Sequence, residues 1–368
     1  MPNDCVSSAV LRHCLRGGFL FTALCGFLGL TSHPVAFAST LPASAKPLQI
    51  YFVDVEGGQA TLFVTPEGKS LLIDTGWPGY NGRDADRIVS AAKLAGITKI
   101  DFLLLTHYHQ DHAGGVTQLA ARIPVGRFID HGENREPSGS VAGQTFRDYQ
   151  DFLAKEHLKR TIAKPGDELP IAGMEAKVVS GDGEVLEKPL PGAGEANPTC
   201  SISAPSPADH TENARSLGVL FTFGKLRILD LGDLTSDKER QLMCPVNKLG
   251  TIDILVVSHH GSLTSTSPEL LMGIAPRVAI MDNGATKGGA PLSWDTVKKS
   301  PRLEDLWQLH YSNEGGAAHN VADTFIANLS GTSDAGNYLK LTASPDGSFD
   351  VYNARTHAAK HYAAGAGN

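Results

Sequence analysis

The chain has 368 residues, and its 32 Lys and Arg against 39 Asp and Glu give a net charge of −7. A general nucleic-acid coat protein would be basic, so this charge argues against that class. With 41% hydrophobic and 19% charged residues, the composition is typical of a folded globular protein, and the 39 glycines and 21 prolines indicate many loops. The length allows two or three domains, or one large layered α/β unit.

The first segment has the features of a secretory signal peptide. Arg12 and Arg16 precede an apolar stretch over residues 17–30, and Ala36 and Ala38 form an A-x-A exit pattern. A membrane anchor is the alternative, but the apolar stretch is shorter than the roughly 20 residues that a span needs. We therefore expect a signal peptide over residues 1–38, a mature chain over 39–368 that is periplasmic or secreted, and no later membrane span.

Cysteine usage agrees with export. Cys5, Cys14 and Cys25 lie in the predicted signal peptide, so the mature chain keeps Cys200 and Cys244. An even number of cysteines in an oxidising compartment allows one disulfide, and two unrelated thiols are the alternative.

Regular hydrophobic patterning covers the first part of the mature chain. The predicted elements are, in chain order, strands at 49–55, 60–65 and 70–74, a helix at 85–95, a strand at 101–105, a helix from 113 or 114 to 122, and a strand at 125–130. The run at 101–105 is apolar throughout, which indicates a strand buried on both faces.

The pattern weakens over residues 132–210, which we predict to be a loop-rich insertion with one helix at about 146–158. Residues 181–207 alone hold four glycines and five prolines. Strands return at 217–222, 226–231, 252–258, 278–281, 339–342 and 349–352. Two groups of strands with helices between them predict an α/β domain, in which two sheets lie face to face with helices outside.

The candidate chemistry is concentrated where the strand at 101–105 ends. Residues 106–112 read T-H-Y-H-Q-D-H and bring together His107, His109, Asp111 and His112. α/β sheets bind ligands at the carboxyl ends of their strands, and imidazoles with a carboxylate suit zinc and related divalent ions. A single histidine in a strand is more often a core or surface residue, but four such residues at one strand exit predict a metal site.

This segment resembles the H-x-H-x-D-H signature of the metallo-β-lactamase superfamily. Three further motifs follow the order of that family: L-I-D-T-G at 72–76, L-G-D-L at 231–234 and V-S-H-H-G-S at 257–262. The resemblance covers about residues 48–350 and implies a four-layer αββα sandwich. It also implies that Asp74 supports the metal ligands from behind and that Asp233 bridges two metal ions.

Two segments are similar to one branch of the family. D-V-E-G-G-Q-A at 54–60 and H-H-G-S at 259–262 are similar to the domains of competence proteins of the ComEC type, and the latter also to secreted phosphorylcholine esterases. The chain departs from the family pattern at the central histidine, which is missing before the Asp233 motif. The third ligand of the first metal is therefore open, and its candidates are His131, His210, Glu212 and Asn213.

The resemblance implies two metal ions, which we expect to be Zn²⁺, with Mn²⁺ or Fe²⁺ as alternatives. His107 and His109 would hold the first ion, and Asp233 would touch both. The second ion would be held by Asp111, His112 and His259. Two ions about 3.5–4 Å apart can share a water and lower its pKa toward ~7. Asp111, His112 and Asp233 are accordingly the expected catalytic residues.

Several other polar residues are weaker candidates. His260 is expected to pack or to orient a ligand rather than to bind metal. Asn283 follows a predicted strand and could face the site. Lys287, His310 and His319 could contact substrate, but we expect them at the solvated surface.

These features predict an exported metal-dependent hydrolase that acts on a phosphodiester or another ester. One alternative is a lactone or β-lactam hydrolase, although a β-lactamase would normally keep the central histidine. Another is a non-catalytic metal-binding module, which the retained ligand residues disfavour. A nucleic-acid substrate is not favoured, because a net charge of −7 offers no broad phosphate-binding face.

Overall fold

The computed structural model describes residues 46–329 and 335–365, so the predicted signal peptide lies outside the described residues. The strands are, in chain order, β1 (Leu48–Phe52), β2 (Thr61–Val64), β3 (Ser70–Ile73), β4 (Ile100–Leu104), β5 (Val125–Asp130), β6 (Arg160–Ile162), β7 (Glu175–Gly181), β8 (Glu184–Val185), β9 (Gly218–Phe223), β10 (Leu226–Asp230), β11 (Ile254–Val256), β12 (Val278–Met281), β13 (Asp305–His310), β14 (Ile326–Asn328), β15 (Leu339–Ala343), β16 (Phe349–Asn353) and β17 (Ala358–Tyr362). The α-helices are α1 (Arg83–Leu94), α2 (Gln110–Ala113), α3 (Val116–Ala120), α4 (Val141–Lys155), α5 (Ser236–Met243), α6 (Pro268–Ile274) and α7 (Pro291–Lys298).

The strands form two mixed sheets. The first has nine strands in the order β17-β16-β15-β1-β2-β3-β4-β5-β6, and the second has eight in the order β14-β13-β12-β11-β10-β9-β7-β8. Strands β3 to β6 run parallel in the first sheet, and β10 to β14 run parallel in the second. Each sheet therefore gathers several strand carboxyl ends along one edge.

Apolar side chains cover both faces of each sheet. Between the sheets, Phe63 of β2 packs on Phe221 of β9, with ring centroids 4.5 Å apart. On the outer face of the first sheet, Leu103 of β4 belongs to an apolar cluster that includes residues of α1, α3 and α4. On the outer face of the second, Leu255 of β11 shares a cluster with residues of α5, α6 and α7. The layers are thus helices, sheet, sheet and helices, which confirms the αββα sandwich.

Residues 132–210 hold more regular structure than their sequence pattern indicated, namely α4, β6, β7 and β8. Helix α4 begins earlier than predicted, because the hydroxyl of Ser140 accepts a hydrogen bond from Gly143 N and caps it. Between β8 and β9 the chain runs as a loop with two short 3₁₀ turns. A disulfide joins Cys200 of this loop to Cys244 at the end of α5.

The predicted site motifs follow strands whose carboxyl ends lie on one side of the sandwich. Asp74 follows β3, the segment from Thr106 follows β4, and Asp233 follows β10. The two adjacent histidines at 259–260 follow β11. Within the described ranges, none of the helices has the length and apolarity that a membrane span needs.

Candidate metal centre

Four buried side chains converge where β4, β10 and β11 end. They are Asp111, His112, Asp233 and His260, which we call the inner group. One donor atom from each lies within 4.8 Å of the donor atoms of the other three. The inner group therefore joins residues from three separate sequence motifs.

The spacing of these atoms fits a tetrahedral metal site. His112 Nε2 lies 3.2 Å from Asp111 Oδ2, from Asp233 Oδ1 and from His260 Nε2. His260 Nε2 lies 3.3 Å from Asp111 Oδ2 and 3.4 Å from Asp233 Oδ1. Four ligands at zinc bond lengths of about 2.0–2.2 Å, arranged as a tetrahedron, are separated by about 3.4 Å. Asp233 Oδ1 is also buried without a hydrogen-bond partner, as expected of an oxygen whose partner is a bound cation.

The other oxygen of Asp233 faces a second set of histidines. Asp233 Oδ2 lies 3.3 Å from His259 Nε2 and 3.9 Å from His107 Nε2. His107 Nε2 lies 3.0 Å from His109 Nδ1. We call His107, His109 and His259 the outer group, because the side chains of His109 and His259 remain 26% and 16% exposed. The two oxygens of one carboxylate thus serve two neighbouring sets of ligand atoms.

Four of these five histidines are held in place by a hydrogen bond at their second ring nitrogen. In the inner group, His112 Nδ1 lies 2.7 Å from Asp74 Oδ2, whereas His260 Nδ1 lies 3.3 Å from Asp282 Oδ1 without forming a hydrogen bond. In the outer group, the partners are Thr106 Oγ1 for His107 Nδ1 (3.0 Å), Glu136 Oε1 for His109 Nε2 (3.1 Å) and Thr264 Oγ1 for His259 Nδ1 (2.9 Å). Such partners fix the ring orientation and leave the other nitrogen directed at the site.

The backbone aims His259 and His260 at different oxygens of Asp233. Both residues are left-handed, with φ of 52° and 54°, a conformation that costs a non-glycine residue roughly 1–2 kcal/mol. Gly288 makes this turn fit, since a Cβ at that position would lie 2.2 Å from the carbonyl oxygen of His260. The structure therefore places His260, rather than His259, in the inner group.

The match to known proteins agrees with this geometry. Residues 53–202 match the family model of the metallo-β-lactamase superfamily. Over these residues the chain is similar to the metallo-β-lactamase superfamily. Recombination protein 2 of Haemophilus influenzae is 29% identical over 242 residues, which cover 65% of this chain and 25% of that protein. ComE operon protein 3 of Bacillus subtilis is 30% identical over 257 residues, which cover 66% of this chain and 29% of that protein.

These relatives confirm the resemblance to the competence-protein branch, although the chain spans less than a third of their length. Among solved structures, the metallo-β-lactamase fold protein YhfI from Bacillus subtilis has a TM-score of 0.43 and 12% identity. That alignment covers 71% of this chain and 96% of YhfI.

The place of the superfamily's central histidine is taken by a segment that is bonded to the rest of the fold. Glu212 is buried, and its Oε2 lies 3.0 Å from His131 Nε2, while its Oε1 accepts a hydrogen bond from Arg135 N at 2.8 Å. His210 is exposed, and Asn213 begins a 3₁₀ turn. None of these four candidates belongs to the inner group.

The charges of the inner group depend on one another. Burial alone would raise the pKa of Asp233, but His112 and the two adjacent histidines hold it well below its usual range. Asp111 shows the same balance, with His112, His260 and Lys287 lowering its pKa. Despite burial, the Asp233 carboxylate raises the pKa of His260 to about 10. Both carboxylates are therefore ionised at neutral pH, which is the form that binds a cation.

The outer group has a different protonation. Burial, aided by the nearby imidazoles, lowers the pKa of His107 well below its usual range. Burial also lowers the pKa of His259, against the opposing influence of Asp233. These two imidazoles are neutral at pH 7, as metal ligands must be.

A second cluster lies around Asp54, Glu56 and His310. The expectation that His310 is solvated was wrong, since its buried Nε2 lies 2.6 Å from Asp54 Oδ1. Arg87 Nη1 already lies 3.0 Å from Asp54 Oδ2 and supplies positive charge there. We therefore assign this cluster to the scaffold and not to a metal.

Three remaining candidates differ in their surroundings. Asn283 is buried, and its Nδ2 donates to His310 O at 2.9 Å, so it supports the loop after β12. His319 is partly exposed and lies 3.7 Å from Asp295. Lys287, which we expected at the solvated surface, instead forms an ion pair with Asp111. No local pattern indicates this contact, because the two residues are 176 positions apart in the chain.

Proposed function

We propose that the protein is an exported hydrolase that binds two metal ions and cleaves a phosphodiester or another ester. The observation that carries this proposal is the position of Asp233, whose two oxygens face two separate sets of histidine nitrogens. A pair of zinc ions held there would supply a water whose pKa is lowered toward ~7. Oxygen and imidazole donors without thiolates also suit Mn²⁺ or Fe²⁺.

The geometry favours a definite assignment of ligands. In our proposal the first site consists of His107, His109, His259 and Asp233 Oδ2. The second consists of Asp111, His112, His260 and Asp233 Oδ1. His259 then takes the place of the missing central histidine, and His260 supplies the ligand that the family motif led us to expect from His259.

The substrate class rests on the relatives and on the exposure of the site. The matched relatives include competence proteins, whose branch we associated with phosphate esters from the sequence motifs. The outer group is partly exposed, so a substrate can approach from the side of His109 and His259. Export rests on the sequence of residues 1–38 alone.

Metal content and turnover test this proposal together. The mature protein, loaded with zinc or manganese, should bind two equivalents and hydrolyse bis-p-nitrophenyl phosphate faster than nitrocefin or a simple lactone. His259→Ala and His260→Ala should each lose about one equivalent, whereas the exposed control His210→Ala should keep both. A wild-type protein that binds no metal would overturn the proposal and leave a non-catalytic module. Preferential cleavage of nitrocefin or the lactone would replace the substrate class.

A further inference from the structure

Lys287 brings a positive charge to the edge of the inner group. It lies on the loop between β12 and α7, and its Nζ forms an ion pair with Asp111 Oδ2. The same Nζ donates to Gly57 O at 2.8 Å and lies 5.3 Å from the centroid of the Trp77 ring. The side chain is 34% exposed, so one side of the ammonium meets the inner group and another meets solvent.

Two glycine-containing loops fix the position of this lysine. Gly284 N donates to Lys287 O at 2.8 Å, which closes the turn that carries the side chain. Gly57 lies so close that a Cβ there would be 2.9 Å from Lys287 Cβ. Next in the chain, Gly288 packs on the backbone of His260. The lysine is therefore set by the same backbone that positions an inner-group ligand, unlike a lysine on a free surface.

The partners of the ammonium indicate what it can bind. An ammonium has three donors, and here Gly57 O and Asp111 Oδ2 accept from it. A cation bound by Asp111 would draw on the same carboxylate oxygen and weaken its bond to the ammonium. The lysine would then have donor capacity for an anion that also approaches the inner group, beside the apolar face of Trp77.

We propose that Lys287 is an anion-binding residue that selects substrates carrying a negatively charged oxygen next to the bond to be cleaved. This inference rests on the proposed function and narrows its substrate class to anionic esters. The shared chemistry is that of an oxyanion, which a phosphoryl group or a carboxylate can supply. A lysine ammonium acts as a point charge toward a phosphoryl group or a carboxylate, so Lys287 would recognise the negative charge of the substrate and not a planar group.

The test compares Lys287→Met, which keeps the length of the side chain and removes its charge, with Lys287→Arg, which keeps the charge. Lys298→Met is the matched control, because Lys298 also lies over a tryptophan ring, 5.7 Å from the centroid of Trp294, but sits on α7. Calorimetry with metal-loaded protein measures the binding of inorganic phosphate and, separately, of acetate. Steady-state kinetics compare bis-p-nitrophenyl phosphate with the uncharged ester p-nitrophenyl acetate.

We expect Lys287→Met to bind the preferred anion at least tenfold more weakly and to raise KM for the anionic diester by a similar factor. Metal content and KM for the uncharged ester should not change, and Lys287→Arg should recover most of the loss. Whichever of phosphate and acetate loses affinity identifies the class of anion. Unchanged anion binding in Lys287→Met would overturn this inference while leaving the proposed function intact. If the wild type hydrolyses neither ester, the proposed function fails, and the calorimetry still decides the role of Lys287.

Discussion

Asp230 allows a direct test of how burial controls the charge of a carboxyl group behind the candidate metal centre. Its carboxyl lies at the end of β10, where Oδ2 accepts from Gln59 Nε2 at 2.6 Å and Oδ1 accepts from Gly232 N at 3.0 Å. Burial, with a further contribution from the charges of Asp282 and Asp74, raises the pKa of Asp230 from 3.8 to about 7. We predict that Asp230→Asn changes how stability depends on pH.

The sign and size of the effect follow from proton linkage. A carboxyl with a raised pKa binds its proton more tightly in the folded state, so its contribution is complete below pH 4, declines as pH rises, and is lost above pH 7. A shift of about three units is worth about 4 kcal/mol in all. Asparagine keeps an acceptor oxygen for Gly232 N, and its NH2 group can donate to Gln59 once the Gln59 amide turns over, but it cannot ionise. Between pH 5 and 8, Asp230→Asn should therefore gain about 3 kcal/mol relative to the wild type.

Urea unfolding of chelator-treated protein at several pH values measures this difference without the influence of a bound cation. Asp101→Asn is the control, because Lys99 and Ser70 hold the pKa of Asp101 below its usual value despite burial. The contribution of ionised Asp101 to stability is already complete at pH 5, so the difference in unfolding free energy between Asp101→Asn and the wild type should stay constant up to pH 8. Parallel pH profiles for Asp230→Asn and wild type would show that Asp230 is ionised in the folded state, contrary to this reasoning.

Four further outcomes follow from the same structure. Asp233→Asn keeps the shape of the side chain but removes the shared charge, so elemental analysis should find fewer than two metal equivalents and turnover should fall; full activity with two ions would exclude a bridging role. The pKa of His260 is raised to about 10 and that of His112 well above its usual value, so a metal must displace their protons; calorimetry should show metal affinity rising with pH between 6 and 9, by up to about tenfold per unit for each proton displaced, and a flat profile would contradict this. Phe221→Ala removes a ring between the sheets and should cost about 3–5 kcal/mol in urea unfolding, whereas a cost below about 1 kcal/mol would mean that the sheets repack. Replacing Cys200 and Cys244 with serine opens a loop of 44-residue separation and should cost about 4 kcal/mol, and unchanged stability would show that the loop is constrained by other contacts.

Much of the fold could be predicted because many of its strands are continuous apolar runs in the sequence. The strand predicted at 125–130 coincides with β5, and the run at 101–105 differs from β4 by one residue at each end. The motif residues converge because the parallel strands that precede them end at one edge. Both the position of a strand and the motif that directly follows it can be read from neighbouring residues, because apolar runs indicate buried strands and ligands bind at strand carboxyl ends.

Other features depend on contacts between distant parts of the chain. Strand β13 carries the polar residues Gln308 and His310, which interrupt the apolar pattern of a buried strand. They are buried because Gln308 pairs with Asn320 and His310 pairs with Asp54, which lies 256 residues away. The contact between Lys287 and Asp111 spans 176 residues in the same way. The hydrophobic periodicity of a short stretch of sequence cannot predict such contacts between distant residues.

His259 and His260 face different oxygens of Asp233, and this arrangement is connected with the absence of the family's central histidine. Where a central histidine would stand, Glu212 is engaged with His131 and Arg135 N, and Ser216, a little further along, accepts a hydrogen bond from Asp233 N at 3.2 Å. This segment supports the backbone of Asp233 from behind, and in our proposal it ligates no metal. The left-handed turn at 259–260 lets two adjacent imidazoles approach opposite oxygens of that carboxylate, so the ligand absent from one segment is available from another. Placing a histidine at position 212 would therefore not restore the family arrangement, because it would break the buried pair with His131 while His259 still faced Asp233 Oδ2.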